Sequence, residues 1–164
     1  MGRIDPPEPI PGLVAMTAPP GGAAPITIVA LAHCEQLLAP FLGWAAALAL
    51  EGRLPKRDHE LLALRAAHNC RSPFEWHEHA AFARQAGLTD DEIDRVAAGS
   101  DVGWAHHELA LLRAADELHR DTTISHATWT LLLEHYSTAE LVEAVYVVGQ
   151  YTMLSMVANV VEAE

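Results

Sequence analysis

The chain has 164 residues, enough for one domain with a real core, and its net charge of -12 excludes binding to nucleic-acid backbones, which needs a positive patch. Hydrophobic residues make up 51% but aromatic ones only 6%, so Ala, Leu and Val must build the core. Such a core favours close-packed helices over a sheet, since Ala and Leu are strong helix formers. Seven of the ten prolines fall within residues 1–25, with Gly21-Gly22 among them, which argues against regular structure there. This Pro-rich N-terminal arm is expected to be disordered, or extended over the body or a neighbouring subunit, ahead of one helical domain over residues 26–164. Cys34 to Leu50 is Ala/Leu-rich and stops at Gly52, with a break or late start expected at Pro40. Residues 56–69 and 73–86 form a helical hairpin closed by Gly87. Thr89-Asp90-Asp91-Glu92 is a capping box for a helix to about Ala98, and a loop over Gly99 to Gly103 follows. From Trp104 to His119 the pattern is amphipathic, with Leu109, Leu112, Ala115 and Leu118 on one stripe. Ser125 caps a helix over Ala127 to Tyr136, and Ser137-Thr138-Ala139-Glu140 opens a long last helix to about Val161. No alternating strand pattern appears, so the fold class is all-α.

The hairpin carries the chemistry. Ser72-Pro73-Phe74-Glu75 begins its second helix on three counts: a capping Ser, Pro at the first helical position, and Glu three residues after the cap. Glu75 and His79 are four residues apart and share a face. Glu60 lies about 15 Å back from the turn and His79 about 10 Å beyond it, at about 1.5 Å per residue. An antiparallel hairpin leaves them roughly level. Two carboxylates and an imidazole in one pocket can move protons, and burial beside Phe74 and Trp76 would raise a Glu pKa toward neutrality.

Each residue also has a plainer reading. Glu75 completes a capping box, His79 suits a hydrogen-bonded structural role, and Glu60 complements a helix dipole. Trp76, Trp104 and Trp129 serve as core or interface anchors. Gln150 and Asn159, inside an apolar helix, read as partnered core polars, with Gln150 or Tyr151 also candidates to line a pocket. A metal held by Glu75, His79 and Glu60 is a second chemical reading. His77 cannot join His79 on one ion, because residues two apart point about 200° apart on a helix. The pair His106-His107 adds further imidazoles, but no HExxH or Cys/His zinc spacing exists. The expectation is therefore no metal and no cofactor.

The spacing from Glu60 to His79 resembles the carboxymuconolactone decarboxylase and alkylhydroperoxidase D superfamily. Its peroxidase branch has Glu, eleven residues, Cys-x-x-Cys, three residues, His. Glu60 and His79 stand at the outer positions, with Ser72 and Glu75 where the cysteines would be. The continuation through Ala83, Gly87, Thr89, Glu92 and Ile93, and the late run GQYTMLSMVANVVEAE, are similar to the family over roughly residues 30–162. The resemblance implies an alkylhydroperoxidase D-like bundle around a central hairpin, assembled as a homotrimer or hexamer. It also implies a lyase of the decarboxylase type, acting without cofactor on a small cyclic or unsaturated organic acid or lactone. His79 would donate or accept the proton, Glu60 would orient it or act as base, and Glu75 would be the second carboxylate. Ser72, Phe74 and Trp76 would contact the substrate. An isomerase or dehydratase using the same pocket, and a non-catalytic small-molecule binder, are the alternatives.

Thiol peroxidase chemistry does not fit, because neither Ser72 nor Glu75 can reduce a hydroperoxide and Cys70 is two residues early. Cys34 and Cys70 form no CxxC pair. The start MGRIDPPEPIPG lacks the basic and apolar regions of a signal peptide, so reduced thiols and a cytoplasmic location are expected. The apolar run from Val145 to Val161, broken by Gln150, Ser155 and Asn159, reads as a buried helix and not a membrane span.

Overall fold

A computed structural model describes residues 3–18, 22–99 and 103–162. Parts of the N-terminal arm, and of the loop expected between Gly99 and Gly103, lie outside these residues. The described residues are helical without strand, in the order α1 (Gly12–Ala15), α2 (Ile26–Leu31), α3 (Glu35–Ala46), a π-helical segment (Ala47–Glu51), α4 (Lys56–Asn69), α5 (Pro73–Gln85), α6 (Asp90–Ala98), α7 (His106–Asp121), α8 (His126–Leu133) and α9 (Thr138–Glu162). The all-α expectation holds.

The chain divides into two compact units, residues 1–52 with 156–164, and residues 53–155. In the first unit the Pro-rich arm is not wholly irregular. It makes one helical turn, α1, whose Val14 is fully buried among Ile28, Ala32 and Leu38. The Arg3 backbone N–H donates to the Val161 carbonyl at 3.1 Å. The expected break at Pro40 does not occur: α3 runs through it. Pro40 deprives only the Gln36 carbonyl of its helical partner, and both residues are exposed, so water can satisfy that group. The irregularity comes later, as the π segment before Gly52.

The second unit is built around α4, which packs against α5, α6 and α7. Its residues from Asp58 to Leu64 are all buried, so this helix is enclosed on every side. Leu61 and Leu64 join Ala80, Ala83, Leu88, Ile93, Val96 and Leu112 in one core, on which Trp76 and Trp104 pack. In α7 Glu108, Ala110, Leu111, Leu112, Ala114 and Ala115 are buried, so Leu112 and Ala115 of the expected stripe face the core while Leu109 and Leu118 are only half-buried at its edges.

The α4–α5 turn explains why the hairpin is so tight. Arg71 adopts φ 53°, and the N–H groups of Ser72 and Arg71 donate back to the carbonyls of Ala67 and His68 at 3.0 and 2.9 Å. This is a Schellman stop with Arg in the left-handed position usually given to Gly. Ser72 closes α4 with its N–H and opens α5 with its hydroxyl, which accepts from the Glu75 N–H at 3.4 Å. At the far end of α5 the same motif recurs with Gly87 at φ 91°, as the sequence predicts.

Candidate active site

Three consecutive ionisable residues, Asp58, His59 and Glu60, are buried in α4 at 4%, 2% and 9% exposure. Burying such groups is costly without partners. Successive helical side chains diverge by about 100°, so each finds a different partner. Asp58 Oδ2 accepts from the Tyr136 hydroxyl at 2.8 Å. His59 Nε2 shares a 2.9 Å hydrogen bond with the Tyr151 hydroxyl. Glu60 Oε2 lies 2.8 Å from His79 Nδ1. The hairpin register does place Glu60 level with His79.

On the other side of the same imidazole, Glu75 Oε2 stands 3.7 Å from His79 Nε2. Glu75 is buried at 3% exposure and His79 at 6%. This separates the two readings of Glu75. In the capping boxes at Thr89 and Ser137 the third-position Glu carboxylate reaches back to the capping residue's N–H, at 2.8 and 2.7 Å. At the start of α5 the Ser72 N–H is taken by Ala67, and the Glu75 carboxyl turns inward to His79. Burial pushes Glu75 up to about 7, partly offset by His79 and reinforced by Glu78. It therefore exchanges a proton near neutral pH, the property wanted of a general acid or base.

The two carboxyls meet opposite nitrogens of one ring. Glu60 fixes the tautomer by accepting from Nδ1–H, which leaves Nε2 facing Glu75. Because they flank the ring, Glu60, Glu75 and His79 offer no shared position to a single ion. His77 is exposed, on another face from buried His79.

Tyr151 completes the cluster. Its ring is 4.1 Å from that of His79, nearly edge-on. Burial, with Glu60 and Glu75 nearby, pushes its phenol well above the ordinary value, and burial pushes His59 down. Tyr151 and His59 therefore stay neutral near pH 7. Gln150 donates toward Tyr151, while its Oε1 is buried with no partner among the described residues. That corrects the reading of Gln150 as a fully partnered core polar. Phe82, half exposed, packs its ring edge-on to His79 with centroids 5.8 Å apart.

The aromatic residues expected beside this site are placed differently. Trp76 packs on the α4–α6 core and stacks edge-on with His68. With Ser72, His68, Ala67, Arg71 and Pro73 it lines a shallow cleft of about 290 Å³ at the hairpin turn. Phe74 is half-buried and is not among the cleft's lining residues. The first unit holds a larger apolar hollow of about 900 Å³ whose acidic lining is Asp5 and Glu162.

Neither Cys34 nor Cys70 is in a disulfide. Burial pushes the Cys70 thiol up, only partly offset by hydrogen bonds from Thr152 and Ser155. A reactive thiolate needs the opposite shift. The last helix departs from expectation, because much of its apolar surface is uncovered: Val142, Val145, Tyr146, Met153, Met156 and Val160 are each at least 38% exposed. By length and composition α9 could cross a membrane, with 39% of its most apolar window buried.

Comparison with known proteins agrees with this architecture. Among curated proteins, none matches the sequence. Several solved structures share the fold, among them the following three. An uncharacterized peroxidase-related protein from Silicibacter sp. TM1040 superposes with a TM-score of 0.82 at 18% identity, over 98% of this chain and 89% of its own. A protein of unknown function from Agrobacterium tumefaciens, described as a putative antioxidant defence protein AhpD, gives 0.73 at 18% identity, over 82% and 93%. An uncharacterized peroxidase-related protein from Ralstonia eutropha JMP134 with an alkylhydroperoxidase AhpD core gives 0.69 at 21% identity, over 92% and 87%. The sequence model of one family matches residues 35–117, a stretch that contains the whole hairpin. The chain belongs to the carboxymuconolactone decarboxylase family.

Proposed function

We propose that the protein is a cofactor-independent acid–base enzyme, a decarboxylase-type lyase acting on a small cyclic or unsaturated organic acid or lactone. The observation that carries this reading is the buried Glu60–His79–Glu75 line, with one carboxyl at 2.8 Å and the other at 3.7 Å from the two ring nitrogens. When a carboxylate leaves as CO2 from a carbon conjugated to a carbonyl, the bond's electron pair passes into the carbonyl as an enolate. A proton must then reach carbon. Glu75 near pH 7 is poised to release one, and His79 Nε2 can relay it while Glu60 steadies the charge that forms on the ring. Water restores the proton, so the cycle balances without an oxidant.

The site is read as acid–base chemistry and not as that of a thiol peroxidase. The positions of the paired cysteines hold Ser72 and Glu75, and the Cys70 thiol is shifted away from thiolate. Product analysis with carboxylated lactones, β-keto acids and hydroperoxides tests the reading. CO2 release that vanishes in His79→Ala supports it. Rearrangement or dehydration without CO2 would move the site to an isomerase or dehydratase, and consumption of hydroperoxide alone would overturn the acid–base proposal.

The exposed apolar side chains of α9 support a homo-oligomer, most simply a trimer or dimer of trimers, since a surface of this kind calls for cover. Light scattering at micromolar concentration should give a multiple of the 17.8 kDa chain mass, and a monomer mass would sink this.

A further inference from the structure

We propose that His106, Glu134 and His135 form a site for a first-row divalent cation, Zn2+ above all, that ties the start of α7 to the end of α8. His106 comes from one segment and the consecutive pair Glu134-His135 from another, yet one ligand atom from each of the three lies within 4.8 Å of the others. The His106 and His135 rings are 6.4 Å apart between centroids. Ligands on a tetrahedral zinc ion with bonds of about 2.0–2.1 Å sit roughly 3.3 Å from one another. Small side-chain rotations close the difference, and all three residues are exposed and free to make them. Among the described residues none of the three side chains has a hydrogen bond or ion pair to give up. Two His and one Glu, with water at the fourth position, is a donor set that zinc accepts.

The neighbouring group of Asp58, His107 and Glu108 shows why the exposed trio is the better site. Its acids are already satisfied: Tyr136 donates to Asp58, while Arg57 and the Ala105 N–H donate to the two oxygens of Glu108 at 2.7 and 3.0 Å. It contributes field instead. The His107 ring lies 5.4 Å from that of His135, so this acidic group borders the site on a chain of net charge -12. The carboxyl end of α8, where Glu134 is the C-cap, also favours a cation. The amino end of α7 opposes it, and the Glu134 carboxylate outweighs that partial charge.

The site shares no residue with the Glu60–His79–Glu75 line, so the test does not depend on turnover. Full-length protein, freed of any affinity tag and stripped with chelator, is titrated with Zn2+ against a chromophoric competitor and with Co2+ by visible absorption. One ion per chain is expected, together with a Zn2+-dependent rise in melting temperature. His106→Ala and His135→Ala should each weaken binding by at least about tenfold, since losing even a hydrogen-bond partner of a metal ligand costs that much. Glu134→Gln should weaken it less, and His107→Ala should leave it unchanged. The absence of saturable binding below about millimolar Zn2+, where a built site would hold the ion, would overturn the proposal. Binding that survives both His106→Ala and His135→Ala, or that is lost in His107→Ala, would do the same.

Discussion

Near the start of α4, Glu92 and Glu108 both meet the Arg57 guanidinium; one turn further along, Glu60 and Glu75 meet the imidazole of His79. Arg57 hydrogen-bonds to both acids and to the Gly87 carbonyl, joining the starts of α6 and α7 to that of α4. The guanidinium, with the Thr89 N–H, holds Glu92 down to about 2, so it is always charged and always partnered. Glu75 is buried without a permanent cation and is pushed up to about 7. The same residue type is thus a fixed anchor in one cluster and a titrating group in the other. A permanent charge makes a good strut and a poor proton carrier. Under the proposed function, chemistry belongs to the His79 cluster and architecture to the Arg57 cluster, and each assignment can be broken.

The largest expected effect is on the His79 side. His79→Ala and Glu60→Gln should each lower turnover by at least about a hundredfold, the usual scale for a positioned acid–base group. Glu60→Gln keeps shape and one hydrogen-bonding oxygen, so cooperative melting should persist. Wild-type turnover in both variants, measured once a substrate is in hand, would return these residues to a structural role.

Glu75 gives the next effect, through pH. Its folded-state pKa of about 7 lies above its ordinary value of 4.5, so between those values the folded protein holds a proton that the unfolded chain has lost. Stability from this group is therefore complete at low pH and falls as pH rises toward 7. Glu75→Gln should gain stability over wild type at pH 8 and not at pH 5. If the protonated form is the acid, kcat/KM should fall above about pH 7 by up to tenfold per unit, and this limb should disappear in Glu75→Gln. Melting curves of equal difference at the two pH values would show that Glu75 is not the titrating group.

How much of this was legible follows from range. Ser72, Pro73, Thr89 and Gly87 act within a turn of their own position, so hairpin and caps could be read directly from the sequence. The pairing of Glu60 with His79 needed only the register of a short hairpin. Tyr151 could be named only as a candidate, since nothing local says that it comes back to His59 and His79 from 92 residues beyond His59. The partners of Arg57 were hidden in the same way. At Pro40 the local rule for breaking helices failed, because exposure lets water replace one lost bond. Glu75 was ambiguous in principle: a capping Glu and an inward-facing Glu are the same letter, and the Ala67 carbonyl, by occupying the Ser72 N–H, decides between them.

Arg57→Ala probes the other side. It leaves the Glu108 carboxylate, 6% exposed, without its cation and with only the Ala105 N–H, and should cost about 2 kcal/mol after allowing for the partly exposed guanidinium. That corresponds to a fall of about 5 °C in melting temperature for a chain of this size. Turnover below the melting transition should change little. A large loss of activity with an unchanged melting temperature would erase the division between the two clusters.

The smallest effect is expected from the cysteines, and it sharpens the comparison by removing a third candidate. Cys70 lies at the turn between the helices that carry Glu60 and His79, so a thiol mechanism would have to act through it. Its Sγ is 3.9 Å from His119 Nδ1, at the limit for a sulfur hydrogen bond, and burial holds it as a thiol. Cys34 is exposed and lies in the other compact unit. Replacing both by Ser removes every sulfur able to form a thiolate, while Ser keeps a hydrogen-bonding atom for Thr152 and Ser155 near position 70. Turnover of the double variant should stay within a few-fold of wild type, with Glu75's pH limb intact. A Cys70→Ser protein that melts normally but has lost activity would put the thiol, and not the imidazole, at the centre of the chemistry.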